Sequence, residues 1–178
     1  MASPCVQLAL IISRRRVTEV SVSTLSIADL RYPSVFYACG FGSGMLPKAP
    51  GTWGSVLGVV LWVLTVGHLS PVWQALVFAL VFVLGVIAIG AMQKRFGVMD
   101  APEIVIDEIL GVWIALLFAP MFWWVALLGF LAFRLFDIWK PWPVSWADRI
   151  HTPTGVMLDD VIAGLMALAV VQGVLYAL

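Results

Sequence analysis

Hydrophobic and polar positions are laid out along this chain in long blocks, not in short alternating periods. Segments 49–93, 109–133 and 161–178 contain no Asp, Glu, Lys or Arg, and all ten basic and ten acidic residues fall within 14–48, 94–108 and 134–160. Backbone that crosses lipid must satisfy its own hydrogen bonds, so the uncharged blocks predict helices. Gly54–Leu69 reads as a first span, closed by a turn at His68-Leu69-Ser70-Pro71, and Val72–Met92 as a second. Glu103–Ala119 predicts a third helix with an acidic first turn, broken at Ala119-Pro120-Met121. Phe122–Trp139 is the fourth and Leu158–Leu178 the fifth. Tyr32–Cys39 is apolar but falls short of the ~20 residues a crossing takes, so it predicts an interfacial segment. Gly40–Ser55, with five glycines and two prolines, predicts a loop.

The expected fold is therefore all-α, a polytopic membrane helical bundle of about five embedded helices with an interfacial N-terminal segment. Residues 1–31 form a juxtamembrane extension, and 32–178 a single membrane domain with no internal repeat. Arg14-Arg15-Arg16, beside a modest apolar run, fits either a plain extension, the preferred reading, or anchoring at an anionic surface.

Composition agrees. The chain is 62% hydrophobic and 11% charged, with a mean hydropathy of +1.04, whereas soluble domains carry roughly 25% charge. A net charge of zero gives no pull toward nucleic acid. Cys5 and Cys39 match no CxxC or zinc spacing and read as free thiols. The predicted spans place every Lys and Arg of the bundle on one face, which the positive-inside rule makes cytoplasmic. Tryptophans fall near both boundaries: Trp73, Trp123 and Trp124 at the outer one, Trp53, Trp139, Trp142 and Trp146 at the inner.

Candidate chemistry lies at the cytoplasmic helix ends. Asp107 and Glu108 occupy the first turns of the third helix, Asp137 the last turn of the fourth, and Asp159 and Asp160 open the fifth. Carboxylates near a helix N-terminus complement its dipole, which accounts for all of these except Asp137. Asp137 can pair with Arg134 one turn earlier. Gly111 and Ala115 follow Asp107 at helical spacing, and Ala163, Gly164 and Ala167 follow Asp160, so small residues would let the third and fifth helices approach closely. Carboxylates converging there would repel one another unless a cation joined them. Oxygen-only ligands suit Mg²⁺, Mn²⁺ or Ca²⁺ rather than zinc.

Two further groups suit phosphate. Lys48 precedes Pro50-Gly51-Thr52-Trp53-Gly54-Ser55, where Thr52 or Ser55 can cap the helix that starts there and free N–H groups can meet an anion. Arg134, Lys140 and Arg149 surround Trp139-Lys140-Pro141-Trp142-Pro143 and fit either positive-inside anchoring or a phosphate clamp. His151 is a lone loop histidine.

In order along the chain, GFGSGMLPKAPGTWGS, IDEILGVW, FRLFDIWKPWP and GVMLDDVIAG resemble the phosphatidylglycerophosphatase A family, from about Phe36 to Leu178. The resemblance implies an all-helical, Mg²⁺-dependent phosphatase of the bacterial inner membrane, active at the cytoplasmic face. It implies removal of the terminal phosphate of phosphatidylglycerol phosphate. The family's acids fall on Asp107, Glu108, Asp137, Asp159 and Asp160, and its basic positions on Arg134 and Lys140. The loop ADRIHTPT departs from a more glycine-rich expectation and leaves His151 without a role. Together, residues and resemblance give Asp107, Glu108, Asp159 and Asp160 as Mg²⁺ ligands and Asp137 as ligand or general base. Lys48, Thr52, Ser55, Arg134, Lys140 and Arg149 are the substrate-binding set, and the reaction is metal-assisted attack by water. The alternative that intramembrane acids allow is a small divalent-cation or proton-coupled transporter. That would need polar stations across the outer half, where His68 is the one ionisable residue.

Overall fold

The computed structural model describes residues 25–97 and 101–178, and every regular element among them is helical. Arg14–Arg16 and Cys5 lie outside the described residues. A 3-10 turn, Ile27–Arg31, leads into a short helix α1 (Pro33–Ala38) and a second, kinked 3-10 stretch, Gly40–Met45. Six further helices follow: α2 (Pro50–Leu64), α3 (Pro71–Phe96), α4 (Ile106–Ala115), α5 (Trp123–Trp139), α6 (Val144–Asp148) and α7 (Pro153–Ala177).

Helix starts are set by proline. Pro50, Pro71 and Pro153 each stand at a first helical position, where the missing N–H costs nothing and φ is already helical. This moves two expected boundaries. The first span begins at Pro50 and not Gly54, so the loop expected over Gly40–Ser55 is helical at its C-terminal end. The cap is Ala49, in the left-handed region at φ 53°, and not Thr52 or Ser55. The fifth helix begins at Pro153, capped by Thr152 Oγ1, which accepts from the Gly155 N–H at 3.1 Å. Asp159 and Asp160 therefore lie in its second turn, beyond the orphan N–H groups, and the dipole account of them falls away. α3 runs past the expected Met92, takes Lys94 and Arg95 into its last turn, and stops at Gly97 with φ 70°.

Among the described residues, three helical stretches are long and apolar enough to cross a membrane: Pro50–His68, Pro71–Phe96 and Pro153–Ala177. α5 has 17 residues, about 25 Å at ~1.5 Å per residue. The expected third span is the main departure. α4 has only 10 residues, about 15 Å long, and every one of them but Glu108 is buried. A helix apolar on all sides is a core helix, and α4 is the one the others surround. It packs against α7 most extensively, and also against α2, α3 and α5.

Small residues make that packing possible. A Cβ on Gly111 would sit 2.3 Å from the Phe133 ring, and one on Gly164 would sit 2.5 Å from the Gly111 carbonyl oxygen. The spacing of small residues noted in the sequence is thus the α4–α7 contact itself. Trp113 Nε1 donates to the Gly58 carbonyl at 2.8 Å and ties α4 to α2. At the far end of α4, Gln172 Nε2 of α7 donates to the Leu117 carbonyl at 2.9 Å. α4 ends at Ala115 and α5 begins at Trp123, so no single helix runs through Pro120.

Candidate active site

Chain direction brings the charges together. The N-terminal ends of α4 and α7 and the C-terminal end of α5 lie at one end of the bundle, so Asp107 and Glu108, Asp159 and Asp160, and Asp137 meet around a cavity of about 150 Å³. Lys140, Asp148 and His151 also line it, from the α5–α7 connection.

The innermost group is Asp107, Glu108 and Asp160. One carboxylate oxygen from each lies within 4.8 Å of the others. Asp107 is 8% exposed and Asp160 4%. The two pairs are built alike: Asp107 Oδ1 accepts from the Glu108 N–H and Asp159 Oδ1 from the Asp160 N–H, each at 3.0 Å. These bonds turn one oxygen of the first acid back to the helix. The Glu108 Oε2 atom is buried with no hydrogen-bond partner. A cluster of three acids with an unpartnered buried oxygen, and no Cys or His among its donors, fits a hard divalent cation bound through oxygen.

Asp159 is turned elsewhere. Its Oδ2 accepts from Lys140 Nζ at 2.8 Å, and Lys140 also pairs with Asp148. Burial pulls the Lys140 ammonium down, but hydrogen bonds and charge from Asp148 and Asp159 outweigh it and hold the group above its ordinary value. Lys140 caps α5 at φ 46°, a conformation that costs a non-glycine residue roughly 1 kcal/mol or more. The cap turns the chain so that Lys140 reaches back across the cavity.

Arg134 links the two sides. Its Nη1 lies 2.6 Å from Asp137 Oδ2 and 3.9 Å from Glu108 Oε1. Its Nε is buried without a partner, so the guanidinium keeps a donor in reserve beside the acids. Gly51, in the first turn of α2, packs against this pair: a Cβ there would lie 2.2 Å from Glu108 Oε1 and 3.1 Å from Arg134 Nη1.

The sequence-predicted residues therefore divide. Asp107, Glu108, Asp137, Lys140, Asp159 and Asp160 line one cavity, and Arg134 joins Glu108 to Asp137. Ser55 is buried, with its hydroxyl donating to the Gly51 carbonyl at 2.8 Å, and Thr52 is half-buried in the first turn of α2. Lys48 and Arg149 are exposed and line no part of the cavity. Asp148 was not singled out in the sequence, where it reads as one more polar loop residue. His151 is exposed at the cavity mouth.

The family described as Phosphatidylglycerophosphatase A matches residues 36–175. The Phosphatidylglycerophosphatase A of Escherichia coli (strain K12) is 40% identical over 163 residues, covering 89% of this chain and 88% of that protein. The Haemophilus influenzae protein of the same name is 39% identical over 150 residues, 83% of this chain and 92% of the relative. No solved structure matches. The match takes in α2 to α7 and with them every acid and base of the cavity, and on that ground the chain belongs to the phosphatidylglycerophosphatase A family of phosphatases.

Proposed function

We propose that this protein is a Mg²⁺-dependent lipid phosphatase that converts phosphatidylglycerol phosphate to phosphatidylglycerol and inorganic phosphate. Its active site faces the cytoplasm at the bacterial inner membrane. The observation that carries the reading is the gathering of Asp107, Glu108 and Asp160 within 4.8 Å, beside the cations Arg134 and Lys140, at the charged end of a hydrophobic bundle. A phosphomonoester on a lipid needs that combination: cation-binding acids, basic groups for the phosphate, and a position at headgroup depth.

Asp107, Glu108 and Asp160 would hold the cation, which supplies Lewis-acid stabilisation of charge on the phosphate oxygens. Arg134, with its unpartnered Nε, and Lys140 orient the phosphate and neutralise it. Asp137, fixed by Arg134, takes the proton from the attacking water as its oxygen bonds to phosphorus. The bond from phosphorus to the glycerol oxygen breaks, and that oxygen takes a proton from solvent at the open mouth. Asp159 keeps Lys140 charged and in place. Such a site works mainly by positioning and electrostatics. The arrangement favours hydrolysis over transport, because the described acids gather at one end of the bundle.

The test is phosphate release from phosphatidylglycerol phosphate by the purified protein in Mg²⁺ and in EDTA. It is repeated in sealed vesicles of known orientation, with substrate added outside. Full activity in EDTA would overturn the metal assignment. Hydrolysis confined to vesicles that expose the periplasmic face would overturn the sidedness.

A further inference from the structure

Away from the acidic cavity, two arginines from different elements converge on one tyrosine. Arg31 ends the 3-10 turn before α1, and Arg95 lies in the last turn of α3. The Arg95 guanidinium stands 3.8 Å from the Tyr32 ring centroid and that of Arg31 4.8 Å, while Arg31 Nη2 donates to the Tyr32 hydroxyl at 2.8 Å. Phe96 meets the Tyr32 ring edge-on at 5.8 Å and holds it in place. Both arginines are exposed, and among the described residues neither has a carboxylate within salt-bridge distance. None of these residues lines the acidic cavity.

A helix C-terminus accounts for one cation at Arg95. It does not account for a second brought to the same ring. The negative face of an aromatic ring tolerates two guanidiniums, and each arginine here is exposed, with planar N–H donors of the kind that suits phosphate oxygens. The position identifies the source of that phosphate. α3 has 26 residues, about 39 Å at ~1.5 Å per residue, against a hydrocarbon core of ~30 Å. Its last turn therefore reaches headgroup level. Exposed Ile27, Phe36 and Phe41 lie on the neighbouring turn, helix and loop, as an apolar flank for glycerol and acyl carbons.

We infer that Arg31 and Arg95, joined across Tyr32, form a binding site for the headgroup phosphate of one anionic phospholipid, separate from the acidic cavity.

The full chain in mild detergent, offered equal amounts of dioleoyl phosphatidylglycerol and dioleoyl phosphatidylcholine, is to be weighed intact by native mass spectrometry. The wild-type protein is expected to retain one more phosphatidylglycerol than the Arg31→Gln/Arg95→Gln variant, with phosphatidylcholine retention equal in the two. Lipid held in the acidic cavity contributes equally to both and cancels, so the result does not depend on the phosphatase reading. Arg31→Gln alone, at an exposed position outside α3, gives the same comparison if the double variant fails to fold. Equal phosphatidylglycerol retention in wild type and variants overturns the site. Equal loss of phosphatidylcholine overturns the requirement for an anion, and displacement of the extra lipid by inorganic phosphate overturns the lipid as its source.

Discussion

Gly51 and Glu108 approach so closely that a single added methyl group on Gly51 would fall 2.2 Å from Glu108 Oε1. The contact joins the first turn of α2 to the first turn of α4, and Arg134 completes it from α5. Alanine is a better helix former than glycine by about 1 kcal/mol, so Gly51→Ala should leave α2 intact or firmer. It must nevertheless push Glu108 or Arg134 aside. Displacing a positioned group by about 1 Å can cost about 100-fold in rate. We expect Gly51→Ala to lose about that much kcat while thermal unfolding in detergent stays near wild type. Wild-type turnover would show that Glu108 need not sit where it does.

Asp107, Glu108 and Asp160 are held together at a cost, because like charges this close repel. Neutralising one should relieve that cost and remove activity together. Asp160→Asn is expected to raise the unfolding temperature of the EDTA-treated protein. Its phosphate release should fall by roughly 10³-fold or more, the equivalent of several kcal/mol of lost charge stabilisation. Mg²⁺ should raise the unfolding temperature of the wild type, since a ligand that binds only the folded state stabilises it, and should do little for Asp160→Asn. Equal Mg²⁺ stabilisation of both proteins would remove Asp160 from the ligand set.

Much of this was legible because so apolar a chain leaves few options. Charge-free blocks had to be helices, and the acids fall near their ends, although Asp159 and Asp160 lie in the second turn of α7 and do not open it. What stayed hidden depends on tertiary surroundings. Ile106–Ala115 is as apolar as a span, and hydropathy does not separate a helix wrapped in lipid from one wrapped in protein. Length does, and the turn that ends α4 carries no strong breaker before Pro120. The starts of α2 and α7 are set locally: the Ala49-Pro50 and Thr152-Pro153 steps are helix-start signals to which hydropathy is blind. The small residues Gly111 and Gly164 are legible in the sequence because close helix approach depends on their spacing. Asp148 and Gly51 carried no such pattern, and their roles exist only once α6 and α2 are in position.

Cys39 follows α1 and is fully buried. Burial, with the Glu103 charge behind it, pushes its thiol up to about 12. The folded state thus favours the neutral thiol. Its contribution to stability is complete below the ordinary thiol range and declines as pH rises through that range toward 12. In a Cys5→Ser background, Cys39 should resist a maleimide at pH 8 until the protein is heated through unfolding. Rapid labelling of the folded protein would mean that the α1 region opens freely.

Lys140 is shared between Asp159, within the cavity, and Asp148, which is 47% exposed at its side chain. A substrate phosphate that reaches the ammonium must compete with the outer carboxylate, while the inner one holds the lysine over the site. Removing Asp148 should therefore ease binding, and removing Asp159 should misplace the lysine. Asp148→Asn is expected to lower KM several-fold with kcat little changed, and Asp159→Asn to lower kcat. The pH profile separates this from a merely structural effect. With its folded value raised, the Lys140 ammonium is fully present below its ordinary range and is lost only as pH rises through the raised value. Asp148→Asn removes one cause of that elevation, so the alkaline limb of kcat/KM should move to lower pH. An unchanged alkaline limb, together with an unchanged KM, would leave Asp148 outside the reaction.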